Sequence, residues 1–255
     1  MEATEQAPRR ERDARLDALC ERVAPQLRVV LLDAGNTLIY PDWERVAAWC
    51  RHEGVQVTAR QLVQAEYVAK AAVDALVQRR RPSMPEGYFG VAMEAAGVPP
   101  EVRQRVLPRI AEAEHAGVMW LVVREGTAEA LQQLRDAGLR LGVVSNADGR
   151  VEAFLEQAEL RRWLDFVVDS HRVGVEKPDP AIFRIALERA GVEPGEAIHV
   201  GDICAIDVAG ARSAGIEAVL MDPMGLYARC DVARIHDLGE LAAAIVAHRG
   251  LRQAG

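Results

Sequence analysis

Five short apolar runs, each closing on a polar residue, dictate most of what this 255-residue chain can fold into. They are RVVLLD (28–33), LRLGVVSN (139–146), WLDFVVDS (163–170), AIHVGD (197–202) and EAVLMD (217–222). Continuous apolar runs of this length suit strands buried on both faces, the situation of a parallel sheet covered by helices. Helical patterns separate the later runs, over Gly126–Ala137, Gly149–Gln157, Pro180–Ala190 and Ala205–Ala214. Strand alternating with helix specifies an α/β fold: a doubly wound, parallel, Rossmann-like sheet.

Residues 41–119 break that rhythm. Helical patterns run through Asp42–His52, Ala59–Gln78, Gly87–Ala96 and Glu101–Ala116, punctuated by Gly54, Pro82, Pro85 and the Pro99–Pro100 pair. An all-helical insertion between the first and second strands predicts a cap lying over the carboxyl edge of the sheet, where such folds carry their sites. The expected organisation is a core of residues 27–40 and 120–255, a helical cap over 41–119, and a helical extension over 1–26. In that extension Leu16, Leu19, Cys20 and Val23 recur at helical spacing, as they do in a helix packed on the core or on a partner.

Charge narrows the partners. The formal net charge is -7, which argues against a nucleic-acid groove. The charged N-terminus lacks the apolar stretch of a secretory signal, and no apolar run is long enough to span a bilayer. The spacing of Cys20, Cys50, Cys204 and Cys230 suggests neither a zinc site nor a disulfide framework. These features predict a cytoplasmic protein, monomer or homodimer, with no membrane partner.

Four polar clusters follow four of the strands. The first is Asp33-Ala34-Gly35-Asn36-Thr37-Leu38. A carboxylate ending a buried strand can serve as nucleophile or metal ligand, and the next turn offers backbone N–H groups to an anion. It can equally be a turn former, and Asn36 tolerates the left-handed conformation such turns need. The second is Ser145-Asn146, suited to an anionic oxygen or to capping a helix. The third, Glu176-Lys177-Pro178-Asp179-Pro180, holds one of only two lysines, placed to neutralise a phosphate or to be solvated in a loop. The fourth contains Gly201, Asp202 and Asp207, a carboxylate pair that suits a hard cation such as Mg²⁺ or simply the start of a helix. Each bland account holds singly; four such clusters in this order fit it poorly.

In that order and spacing, Asp33 through Leu38, Ser145-Asn146, Lys177-Pro178-Asp179-Pro180, and Gly201-Asp202 with Asp207 resemble the motifs of the haloacid dehalogenase-like hydrolases. The resemblance covers roughly residues 28–245 and points to the branch with a helical cap between the first two motifs. It implies a Mg²⁺-dependent phosphatase acting on a small phosphorylated metabolite through an aspartyl-phosphate at Asp33. The metal would be held by Asp33, the Gly35 carbonyl and Asp202, with Asp207 supporting the metal or holding Lys177. Ser145 and Lys177 would grip the transferring phosphoryl group, and Asn36, Thr37 and Asn146 would bind substrate.

One position departs from the pattern. Phosphatases of this kind carry a second aspartate two residues after the nucleophile as general acid and base; here Gly35 stands there. General acid–base help is worth about 10²–10⁴-fold, and its loss weighs most on poor leaving groups. Three readings follow: a phosphatase whose leaving-group step is weakened, assisted by substrate or served by a cap residue; a 2-haloacid dehalogenase, whose halide leaves without a proton; or a non-catalytic binding protein. A phosphonate-cleaving reading would need Lys70 as a cap nucleophile, yet its setting, YVAKAA, reads as an ordinary helix face with one solvated charge. Among cap residues, Trp43, Arg45, Arg51, Tyr67, Arg79–Arg81 and Tyr88 are candidates to line a pocket, the arginine run reading best as a solvated helix end. His199, inside a strand, reads as structural.

Overall fold

The computed structural model describes residues 13–80, 83–227 and 230–250. Its centre is a six-stranded sheet of β1 (Val29–Leu32), β2 (Arg140–Ser145), β3 (Phe166–Asp169), β4 (Ala197–Gly201), β5 (Glu217–Met221) and β6 (Ala233–Ile235). Every neighbouring pair is parallel, and the spatial order is β3-β2-β1-β4-β5-β6. The chain therefore builds outward from β1 to β3 and returns to lay β4 against the other side of β1. That reversal opens a crevice at the carboxyl ends of β1 and β4, where folds of this kind bind ligands.

Strand periodicity sorts the core. Val30, Leu32, Leu141, Val143, Ile198 and Val200 fall in one buried cluster, and Val29, Leu31, Val144, Val168 and Leu220 in another. Successive side chains of a strand point to opposite faces, so each run feeds both layers at once. On the first face lie α1 (Ala14–Val23), α6 (Thr127–Asp136), α7 (Val151–Gln157) and α11 (Leu238–Gly250). Leu16, Leu19, Cys20 and Val23 of α1 are buried there, so this helix is built into the core cluster; residues 1–12 lie outside the described residues. The short α8 (Ser170–Val173) follows β3, and the second face is covered mainly by α9 (Pro180–Ala190) and α10 (Ala209–Ser213).

Residues 41–119 form α2 (Trp43–His52), α3 (Ala59–Val77), α4 (Gly87–Ala95) and α5 (Pro100–His115) around a third buried cluster, including Trp43, Leu62, Phe89, Met93, Val106 and Ile110. Asp42 at the N-terminus of α2 and Thr58 at that of α3 cap their helices through their side chains. The two ends of the insertion meet, with Tyr40 N donating to Val122 O at 2.8 Å and Asp42 N to Met119 O at 2.9 Å.

Three features differ from the reading of the sequence. β6 was not anticipated: it has three residues with Arg234 at its centre, too short and too polar for an apolar run. The helix expected from Ala205 opens instead with a widened π-type turn, Cys204–Val208, before α10. Cys204 is disulfide-bonded to Cys230, with Cα atoms 6.1 Å apart. These cysteines are separated by 26 residues and meet only because β4 and β5 are neighbours, so linear spacing could not reveal the pair. With it, the argument for a reducing compartment from cysteine usage falls away. Among the described residues no helix is long and apolar enough to cross a membrane.

The loop after β2 is braced from the next strand. Asp169, buried at the end of β3, accepts from Gly149 N at 3.1 Å, His171 N at 3.0 Å and Val151 N at 3.4 Å. Asp169→Ala leaves these donors without their acceptor and is expected to cost about 2–3 kcal/mol of unfolding free energy, measured by urea denaturation. A loss of less than about 0.5 kcal/mol would assign the loop's order to other contacts.

Candidate active site

The adjacency of β1 and β4 sets the site. Asp33 N donates to Val200 O at 2.8 Å, so the residue after β1 is drawn toward the end of β4, beside Gly201 and Asp202. Lys177 reaches in from the loop before α9. Its Nζ lies 2.7 Å from Asp33 Oδ1 and 2.7 Å from Asp207 Oδ1, and all three groups are buried. Asp207 is held on its other sides as well. Its Oδ1 is 3.1 Å from His199 Nε2, and its Oδ2 accepts from Asp202 N at 3.2 Å and Ile203 N at 2.9 Å.

The widened turn explains this return contact. One extra residue in the turn swings Asp207 back over the end of β4. Gly201 makes room: a Cβ there would overlap the Asp207 carboxylate. His199 is fully buried, edge-on to Phe183 with ring centroids 5.0 Å apart, and acts as a buttress for Asp207.

Asn146 spends its amide on Lys177. Its Nδ2 donates to Lys177 O at 2.8 Å, and Lys177 N donates to Asn146 Oδ1 at 2.7 Å. The residue that follows β2 thus fixes the backbone from which the ammonium projects. Asn36 has φ +54°, the left-handed conformation its residue type tolerates, and its Nδ2 donates to Tyr88 Oη at 3.0 Å. Asn36 Oδ1 and Thr37 Oγ1 are buried without a protein hydrogen-bond partner.

Two neighbouring cavities meet at this point. One of about 230 Å³ is lined by Asp33, Asn36, Tyr88, Lys177, Asp202 and Asp207, among others. A second, of about 390 Å³, extends past Phe154 and Arg150. Gly35, Trp120, Ser145 and Asn146 line both. Of the catalytic, substrate-binding and metal-binding residues expected from the sequence, only Thr37 lies outside these linings. Arg150 is engaged by Asp148 and by the carbonyls of Glu114 and His115. On the helical insertion Tyr88 reaches the first cavity, whereas Arg51, Arg79 and Arg80 are exposed; Arg81 lies outside the described residues.

Lys70 corrects the sequence reading most sharply. It is not a solvated charge on a helix face but is 2% exposed, with Nζ 3.1 Å from Asp202 Oδ2. The reason is the course of α3 across the strand ends, which turns this face of the helix into the crevice. The same face carries Glu66, also buried, with Oε1 unpartnered. Further along, Asp74 accepts from Ala205 N at 2.7 Å and from Tyr227 Oη, and Tyr67 Oη accepts from Met224 N at 3.1 Å. Glu66, Asp74 and Trp120 carried no motif that could single them out. Lys70 did carry a signal, being one of two lysines in an otherwise arginine-based chain.

Charge balance gives the site its character. Asp33, Asp202 and Asp207 place carboxylate oxygens within 4.8 Å of one another, against the two ammonium groups of Lys70 and Lys177. One negative charge is in excess. Burial, only partly offset by Lys177, raises the Asp33 pKa to about 6. Burial likewise raises Asp202 to about 6 against the pull of Lys70. For Asp207 burial is outweighed by Lys177 and His199, which hold its carboxyl well below the usual range. Lys177 pays the same desolvation, yet Asp207 and Asp33 keep its pKa above the ordinary lysine value. Burial keeps His199 neutral by lowering its pKa. A compact, buried, net-negative cluster of oxygen ligands fits a hard divalent cation.

Comparison with known proteins agrees with this geometry. A family model described as haloacid dehalogenase-like hydrolase matches residues 27–215. The chain is 34% identical over 231 residues to haloacid dehalogenase-like hydrolase domain-containing protein 3 of Mus musculus, covering 85% of this chain and 92% of that one. The match to the human protein of that name is shorter, spanning 50% of it. A glyceraldehyde 3-phosphate phosphatase of Methanopyrus kandleri is 28% identical, with 76% of this chain and 83% of that one covered. Among solved structures, a HAD phosphatase from Thermococcus onnurineus is similar at 26% identity with a TM-score of 0.53, covering 85% of this chain and 97% of that one.

The excess charge has a sign that can be tested. Because the folded-state pKa of Asp33 lies above its ordinary value of 3.8, its favourable protonated form is complete below pH 3.8 and lost as pH rises through about 6. Asp33→Asn is therefore expected to raise Tm in metal-free buffer at about pH 8 and to change it little at about pH 4, as read by thermal unfolding. A variant less stable than the parent at the higher pH would show that the Lys177 pair outweighs burial.

Proposed function

The chain belongs to the haloacid dehalogenase-like hydrolase family, and from that premise we propose that it is a Mg²⁺-dependent phosphatase acting on a small phosphorylated metabolite. One observation carries this reading: the strand-end aspartate Asp33 converges with two further buried carboxylates, Asp202 and Asp207, giving one negative charge more than the two lysines balance. A dehalogenase would account for Gly35, because a halide departs without a proton. It would leave Asp202 and the charge imbalance without a role. The phosphatase names of the Methanopyrus and Thermococcus relatives point the same way.

Asp33, the Gly35 carbonyl and Asp202 are the residues that would hold Mg²⁺. Asp202 Oδ2, buried and paired with the Lys70 ammonium at 3.1 Å, is the oxygen best suited to it. Asp207, whose two oxygens already serve Lys177, His199 and two backbone amides, would support the cluster from behind. Bound there, the ion would supply the positive charge that lets a phosphate dianion approach a carboxylate.

The protein's own groups carry the rest. Asp33 is the nucleophile: a carboxylate oxygen attacks phosphorus in line with the leaving oxygen, and water then hydrolyses the aspartyl-phosphate. Lys177 is fixed on Asp33 before substrate arrives, so its charge is already organised for the equatorial oxygens of the transferring group. Ser145, at the junction of the cavities, is the hydroxyl assigned to bind it; Thr37 Oγ1 is buried and free of protein partners but lies outside both linings. Asn146 serves by holding Lys177, and Asn36 by orienting Tyr88. Helices α2–α5 form the cap, whose α3 closes the crevice through Lys70 and Asp74.

Asp33→Asn is expected to abolish Mg²⁺-dependent hydrolysis of p-nitrophenyl phosphate while the protein stays folded by circular dichroism. Full turnover by the variant would remove the covalent mechanism. Release of halide from a 2-haloacid without Mg²⁺ would replace the phosphatase reading by the dehalogenase one.

A further inference from the structure

We propose that Tyr88, held between Asn36 and Glu66, is the proton donor and acceptor that this chain uses in place of the carboxylate missing at Gly35. The proposal rests on the phosphatase reading and assigns its unfilled role. Gly35 and Tyr88 line the same cavity as Asp33, Lys177 and Asp202, so the hydroxyl opens onto the space where phosphoryl transfer would occur. The tyrosine arrives on α4 of the helical insertion and not on the loop after β1, so the role moves from one element to another.

The hydroxyl is oriented from the turn after β1. Asn36 Nδ2 donates to Tyr88 Oη at 3.0 Å, which leaves the tyrosine proton for an acceptor. Asn36 can reach because its left-handed backbone turns the amide toward the insertion. Close to Tyr88 stands the Glu66 side chain, 4% exposed and with Oε1 unpartnered. Burial raises the pKa of Glu66, so this carboxyl is disposed to carry a proton. Phe89, T-shaped to the Tyr88 ring at 6.0 Å between centroids, helps fix the ring plane.

The protons balance over a full cycle. As Asp33 forms its bond to phosphorus and the bond to the leaving oxygen breaks, Tyr88 gives its proton to that oxygen and takes one from the Glu66 carboxyl. The products of this half are an alcohol, an aspartyl-phosphate and an ionised Glu66. In the second half, water attacks phosphorus and gives its proton to Tyr88, whose own proton returns to Glu66. Phosphate leaves, and Asp33 and Glu66 regain their starting forms. Tyr88 meets the reacting atoms; Glu66 acts through it as a positioning and relay residue.

Leaving-group dependence tests this, since a donor matters for alkoxides and little for nitrophenolate. Hydrolysis of p-nitrophenyl phosphate and of a panel of small alkyl phosphates is measured with Mg²⁺ for the parent, Tyr88→Phe and Glu66→Gln. Tyr88→Phe is expected to lower kcat/KM about 10²-fold on the alkyl esters and to leave kcat/KM on the aryl ester nearly unchanged, while the shared dephosphorylation half lowers kcat on both; Glu66→Gln should show the same pattern. Adding Gly35→Asp to Tyr88→Phe should restore alkyl turnover, since a Cβ at position 35 meets only Trp120, at 3.5 Å. Equal losses of kcat/KM on both ester classes, or no loss, would overturn the proposal, as would a parent that cleaves only the aryl ester and gains alkyl activity from Gly35→Asp alone. A parent inactive on every phosphate ester would instead remove the phosphatase reading, and the proposal with it.

Discussion

The buried ammonium of Lys177, shared by Asp33 and Asp207, is the interaction on which the rest of the site depends. It ties the end of β1 to the turn after β4 through a residue from a third loop. Removing the shared cation of such a buried cluster commonly costs about 3–5 kcal/mol, because its carboxylate partners are left charged and unsolvated. Around it, Asn146 fixes the lysine's backbone, His199 and two amides fix Asp207, and Gly201 leaves space for that carboxylate. Of the two carboxylates, Asp33 alone is held above its ordinary pKa, which makes it the less satisfied of the pair.

The helical insertion is electrically part of the same centre. Lys70 sends a second ammonium to Asp202, and on the same helix Glu66 is buried close to Tyr88, which accepts from Asn36 in the turn after Asp33. A polar chain thus passes from the end of β4 through α3 and α4 back to the end of β1. Any movement of α3 away from the sheet would expose Asp202 and separate Asp74 from Ala205 and Tyr227. Docking of the insertion and the charge state of the carboxylates are therefore coupled.

The sheet and the three-part core of the site were legible in the sequence because strands buried on both faces leave continuous apolar runs, and because functional residues of such sheets cluster at run ends. β6 was not legible: three residues centred on an arginine carry no period. The Cys204–Cys230 pair was hidden for a different reason, since its partners are distant in the chain and meet only through the β4–β5 pairing. Lys70 and Glu66 show the limit most clearly. Helical spacing gives a face, but which face turns toward the crevice depends on how the insertion docks, and no local pattern encodes that. Asn146 was legible as a polar strand end, yet its use, holding the backbone of Lys177, depended on a contact 31 residues away.

Gly201 carries a consequence for how this chain can vary. The missing side chain is not idle space: the carboxylate of Asp207 occupies it. Neither position can drift while the other stays. A larger residue at 201 is admissible only after Asp207 has shortened or turned away, and Asp207 cannot turn away without releasing Lys177 and two amides together. The end of β4 is thus a locked pair, open to simultaneous exchange and closed to single steps, so neighbouring sequences that lack one of these residues should be sought among those that have already given up the other.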